Sequence, residues 1–343
     1  MAMSPAFVLA QAAPRLAALA RQGVYLGTSS WKYPGWRGQL YTDERYTFRG
    51  RFAGKRFESA CLGEYAEVFH TVGVDATYYR FPDARLLAGL VSQVPPAFKL
   101  SFKVTDEITL KRFTRLPRFG PRAGEANPGF LDASLFADRF LAPCEPFRDR
   151  IGVLMFEFSR FYPADFALGR DFLAALAGFL SRLPKGWRYG VEIRNRPFLQ
   201  PEYFAALAAH DVAHVFTSWE GMPPLAEQQR LACGQPRAAF TVARLLLRPG
   251  REYEDAVRRF SPYQEIRDPY PEGRAAAVRL IQEVLSRRGS GQAFLYVNNR
   301  FEGNALQTIT AMLADLPPLC PSPSASPTEP PAGRADAAEP TGG

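Results

Sequence analysis

The sequence predicts an α/β protein: a single (β/α)8 barrel, a TIM barrel, followed by a disordered C-terminal tail. Three observations predict it. Eight β-prone runs alternate with helical patterns between residues 24 and 299, which makes a parallel sheet with right-handed crossovers. Eight is also the strand number that closes such a sheet on itself. Finally, "GTSSWKYPGW" after the first strand lacks a GxGxxG fingerprint, and no GxxxxGK[ST] occurs. An open doubly wound sheet, the alternative architecture, loses its usual nucleotide signatures with them.

The elements follow in order. Residues 1–23 are rich in small and apolar residues but have no basic leader region, and Ser4–Pro5 reads as a helix N-cap and first helical position. This is an N-terminal helical segment. The strand runs are 24–29, 71–79, 98–104, 151–158, 189–194, 212–218, 240–246 and 293–299, and helical patterns at 58–70, 170–183, 201–210 and 273–288 lie between them. The barrel spans 24–316. Residues 317–343, "PPLCPSPSASPTEPPAGRADAAEPTGG", have too little apolar bulk to pack and read as a disordered tail.

The fifth strand, "YGVEIR", poses the functional question. Tyr189, Val191 and Ile193 share one face, while Gly190, Glu192 and Arg194 share the other. In a barrel the first set packs under helices and the second points inward. Glu192 and Arg194 then sit near the C-terminal end of the strand, where barrel enzymes place their chemistry. Lys103 shares inward parity on strand three, Glu157 ends strand four, and Asp75 and Tyr79 extend strand two. Asn298 and Asn299 end strand eight, and Trp31 follows strand one. Arg244 lies in strand seven between apolar residues on both registers, so its parity is open. Lys103, Glu192, Arg194 and Arg244 all come from odd strands, which share layers in a barrel.

Such a set suits an anion: arginine forks bind carboxylate or phosphate, and lysine acts as a point charge. Glu192, Glu157 and Lys103 are the candidate catalytic groups, with Glu157 raised in pKa by burial as the acid–base partner of Glu192. Arg194, Arg244, Asn298, Asn299, Asp75, Tyr79 and Trp31 are the candidate ligand-binding groups. The residues leave open whether such a pocket works as a hydrolase or lyase on an anionic substrate, only binds its ligand, or is a purely internal salt-bridge layer.

Read together and in order, several segments resemble the DUF72, or YecE-like, family of TIM-barrel proteins. They are "GTSSWKYPGWRGQLYT", "TVGVDATYYRFP", "FKLSFKVTDEIT", "GVLMFEFSRF", "VEIRNRPF", "VARLLL" and "YVNNRFEGNA". The resemblance covers about residues 24–316. It implies the barrel and implies no particular reaction. The chain departs from the family pattern in several places. Gly73 stands for a glutamate, Glu157 for a glutamine, Asn195 and Leu246 for histidines, and Ser159–Arg160 for two prolines.

The 343-residue chain carries a formal charge of +8 with a pI near 9.4, which favours anionic partners without choosing among them. Two βα loops concentrate that charge. Residues 45–56 contain Arg49 and Arg51, and residues 111–122 contain Arg112, Arg115 and Arg118, with Phe113 and other aromatics interleaved and no acid in either. Basic groups between aromatics can hold phosphates while stacking bases. A nucleic-acid-binding barrel is therefore the alternative to the small-anion pocket, and a barrel without catalysis is the third reading. No membrane span is expected, because no apolar run approaches about 18 residues. Cys61, Cys144, Cys233 and Cys320 form no CxxC pair and read as reduced thiols of a cytoplasmic protein. His70 and His210 end helices and His214 lies inside strand six; His210 and His214 have HxxxH spacing but fall on different elements, and no HExxH occurs, so no metal or cofactor is expected. Oligomeric state is not written in the sequence.

Overall fold

A computed structural model of the chain describes residues 9–287 and 291–317. Eight parallel strands close into a barrel: β1 (Val24–Thr28), β2 (Thr71–Val74), β3 (Lys99–Lys103), β4 (Ile151–Glu157), β5 (Tyr189–Glu192), β6 (Ala213–Ser218), β7 (Phe240–Leu245) and β8 (Gln292–Val297). The ring closes where Thr28 of β1 pairs with Val72 of β2 and where β1 lies beside β8 over its whole length. The helices of eight residues or more are α1 (Leu9–Arg21), α2 (Gly54–Tyr65), α3 (Ala84–Val91), α4 (Gly169–Ser181), α5 (Pro201–Ala208), α6 (Leu225–Ala232), α7 (Tyr253–Phe260), α8 (Pro271–Ser286) and α9 (Ala305–Asp315).

Period-2 alternation divides the core into two compartments. Val191, Phe156 and Leu245 face outward and join a continuous layer with Phe172, Tyr203 and Ile281 of the helices. Val153, Met155, Val215, Val242, Phe294 and Tyr296 face inward and plug the barrel. The register slips between Leu100 and Phe102 against β4. There Ser101 Oγ accepts from the Val153 N–H at 2.8 Å, while Tyr296 donates to the same oxygen at 2.5 Å. A polar side chain thus satisfies a backbone donor at the ladder irregularity.

Several elements differ from the sequence expectation. β2 ends at Val74, because residues 76–78 turn into a 3-10 helix. β5 ends at Glu192, so Arg194 lies just past the strand. α2 starts at Gly54 and ends at Tyr65, earlier than periodicity suggested. α7 was not expected, since its apolar stripe is short and its surface is charged. α1 contributes Ala12, Leu16 and Leu19 to the outer core, and its Arg15 donates to Leu316 O at 3.0 Å. Ser4–Pro5, the end of the 273–288 pattern, and the tail from residue 318 lie outside the described residues.

Candidate functional site

Glu157 and Glu192 are register partners on β4 and β5, so both carboxylates point into the barrel side by side. Arg244 of β7 lies between them, with Nη1 2.5 Å from Glu157 Oε2 and 2.6 Å from Glu192 Oε2. This settles the parity that the sequence left open: Arg244 points inward, as Val242 does. Arg194 Nη2 lies 3.1 Å from both Glu157 Oε2 and Glu192 Oε1. Lys103 Nζ lies 3.0 Å from Glu157 Oε2, and Thr217 Oγ1 donates to Glu192 Oε1 at 3.1 Å. The odd-strand expectation therefore needs widening. Glu157, from an even strand, is the hub, and Lys103, Arg194 and Arg244 converge on one of its oxygens.

The electrostatics overturn one expectation. Burial pushes the Glu157 carboxyl up, but Arg194, Lys103 and Arg244 outweigh it and hold the group well below the usual carboxylate range. Glu157 is an ionised carboxylate, not the acid partner with a raised pKa. Burial also works against the charge on Arg244, yet Glu192, Glu157 and Asp75 raise its pKa overall.

Above this layer an aromatic and basic rim rings the mouth. The Arg194 guanidinium lies 3.6 Å from the Trp219 ring centroid, and Lys103 Nζ lies 3.9 Å from that of Tyr78. Trp219 neighbours Tyr253, over which Arg300 lies at 4.6 Å. Arg118 sits 5.0 Å from the exposed Tyr79 and pairs with Asp106. Asp75 reaches Arg244 Nη2 at 3.6 Å and is 39 % exposed in its side chain. Thr217, Trp219 and Tyr78 escaped the sequence reading. Thr217 and Trp219 continue the inward parity of Val215 along and past β6, a signal that was available. Tyr78 sits in the turn where period 2 is lost.

Other candidates are held by the scaffold. Asn298 accepts from Arg300 N and caps the turn after β8. Asn299 Oδ1 accepts from Trp36 Nε1 at 3.2 Å and Ala305 N at 2.8 Å, which ties the β1 loop to α9. Trp31 is buried and borders a depression between α2 and α3 with Arg80 and Asp83. Asn195 exchanges hydrogen bonds with the Phe161 backbone, and Leu246 packs with Ala256 and Phe260.

The basic loops also differ from expectation. Phe113, read as a stacking ring, is 3 % exposed and packs on Phe119 and Leu110, because its segment folds back on a small apolar cluster of its own. Arg118 and Arg122 pair with Asp106 and Glu107, and Arg112 approaches Asp165 at 3.7 Å. Arg49 and Arg51 remain on an exposed two-residue hairpin with Phe48 and Phe52. Cys61, Cys144 and Cys233 are free thiols, and Cys320 lies outside the described residues. Among the described residues, no three His, Cys, Asp or Glu side chains converge in a metal-binding arrangement, and no helix is long and apolar enough to cross a membrane.

Comparison with solved structures gives the same architecture. A DUF72 family protein from Enterococcus faecalis matches at a TM-score of 0.56 and 16 % identity, covering 88 % of this chain and 99 % of its own. One from Thermotoga maritima matches at 0.55 and 18 % identity, covering 85 % and 99 %. At these identities the likeness is one of fold. No curated protein matches the chain. The family model described as "Protein of unknown function DUF72" matches residues 25–331, and the chain belongs to the DUF72 family.

Proposed function

We propose that the barrel binds a small anionic, phosphorylated ligand at its C-terminal mouth, with Lys103 and Arg194 as the groups that meet it. One observation carries this reading. Lys103 and Arg194 keep 10 % and 13 % of their side chains exposed, beneath a rim of Trp219, Tyr79, Tyr253, Arg118 and Arg300. Glu157, Glu192 and Arg244 lie deeper and fix those two cations in place. A ligand then meets charges that need no reorganisation, which lowers the ordering cost of binding.

The role of Glu157 toward the ligand is electrostatic. An ionised carboxylate is a poor proton donor, so an acid–base carboxylate pair of the glycoside-hydrolysis type has no support here. The family pattern carries a glutamate where Gly73 stands and a glutamine where Glu157 stands. In this chain the carboxylate beside Lys103 is Glu157 of β4. The nucleic-acid reading is weaker than the sequence suggested, since Phe113 is buried and Arg118 and Arg122 are paired.

The test is thermal shift together with tryptophan fluorescence, using sugar phosphates, dicarboxylates and sulfate at low salt. A ligand that binds only the native state stabilises it by about 2.7 kcal/mol at a hundred times its Kd. The expected result is a rise in Tm with a change in Trp219 emission, the emission change being lost in Arg194→Gln and Lys103→Gln. Intact protein unmoved by every anion at low salt would refute the proposal.

A further inference from the structure

We infer a second anion site, outside the barrel mouth, in the groove between the loops after β3 and β4, built to take a phosphate group. The groove encloses about 350 Å³, within the size range of small-ligand pockets. Four cations line it: Lys111, Arg112 and Arg115 from the β3 loop, and Arg160 from the β4 loop. Asp165 is the one acid among its lining residues. That carboxylate is shared, accepting from the Tyr162 N–H at 2.9 Å and approaching Arg112 Nε at 3.7 Å.

Like charges gathered on one concave surface repel one another unless something neutralises them. Here the shortfall of acid is large and local. Lys111 lies 3.5 Å from the Phe166 ring and Arg160 lies 5.6 Å from the ring of Tyr162, so aromatic faces stabilise part of the charge and a carboxylate does not. Arg115 makes no ion pair with any described residue. A second observation points the same way. Thr109 borders the groove, and its hydroxyl is buried without a hydrogen-bond partner; a buried polar group left so is costly. The arginine forks of the groove suit the oxygens of a phosphate.

Arg160 and Ser159 both line the groove from the β4 loop, and they supply a charge and a hydroxyl there. Phe161 and Leu110 close the groove with apolar surface, so a phosphate monoester with a small apolar or ring-shaped body fits better than a bare ion.

This inference does not rest on the mouth reading, and its test is built to keep the two apart. Inorganic phosphate and pyrophosphate are titrated calorimetrically at low ionic strength into Arg194→Gln protein, where the mouth is disabled. Saturable binding is expected. It should weaken about tenfold or more when Arg112→Gln and Arg160→Gln are added, since each removes a charged donor. Both positions are exposed, and unchanged far-UV circular dichroism and Tm would confirm that the variant folds. Equal affinity with and without those two arginines would overturn the inference. So would the absence of phosphate and pyrophosphate binding at low ionic strength.

Discussion

Arg244→Met tests whether the charged layer is held together as described. The substitution keeps much of the side-chain volume and removes the guanidinium that lies 2.5 Å from Glu157 and 2.6 Å from Glu192. Both carboxylates are at least nine-tenths buried, and Arg194 still spans them, so neither is left without a cation. Removing one member of a buried ion pair costs about 3–5 kcal/mol when its partner is left uncompensated; with Arg194 and Lys103 still in place, a loss of about 2–3 kcal/mol is expected. At roughly 2 °C per kcal/mol for a domain of this size, Tm should fall by about 4–6 °C. The pH dependence supplies a sharper check. In the intact protein the folded-state pKa of Glu157 is depressed. Its contribution is therefore full above the unfolded carboxylate pKa of about 4.3 and is lost only as pH falls below that, toward the depressed value. Without Arg244, Arg194 and Lys103 still lower the folded-state pKa of Glu157, but by less, so the mutant loses less than the intact protein on acidification. The gap between the two proteins should be widest near neutral pH and should narrow as pH falls below about 4.3. Adding Glu192→Gln to Arg244→Met should recover part of the loss, read as a coupling energy in a double-mutant cycle. Urea unfolding from pH 7 to about 3 measures all of this. A mutant within about 1 kcal/mol of the intact protein at pH 7, with a pH-independent gap, would refute the argument.

Three further predictions follow from the scaffold. Burial holds the His214 imidazole down to about 4, with Gln228 opposing. The fold therefore favours neutral His214, and stability should be full above pH 6.5 and fall by about 3 kcal/mol toward pH 4; His214→Gln should flatten that slope in urea titrations. A Cβ at Gly27 would lie 2.3 Å from Thr71 O on the neighbouring strand, so Gly27→Ala should destabilise by about 1–3 kcal/mol through overpacking, read as a lower urea midpoint at unchanged m-value. Cys233 is exposed, whereas burial pushes the Cys61 and Cys144 thiols up to about 12. Peptide mapping after brief alkylation of native protein should therefore find Cys233 labelled ahead of those two.

Strand alternation was enough to place Glu192 and Lys103 inside the barrel, because in a closed sheet each residue faces either the helices or the interior. The same logic placed Glu157 at the end of β4 and identified eight strands. It did not give Arg244 a side, since apolar residues serve equally well in the interior plug and under the helices. Nor did it reveal that Glu157 and Glu192 are register partners, because register between strands depends on barrel stagger rather than on either strand alone. The protonation state of Glu157 was misjudged for the same reason: burial is legible locally, but the three cations that outweigh it arrive from β3, β7 and the segment after β5. Phe113 and Arg118 looked free because their own segment has no acid, while Asp106 and Glu107 precede it in the chain and Phe119 folds back onto Phe113. Composition and period, properties of neighbouring residues, determined the fold and the inward-facing set. Charge balance, register and the depth of each ring are sums over residues far apart in the chain, and only the closed barrel decided them.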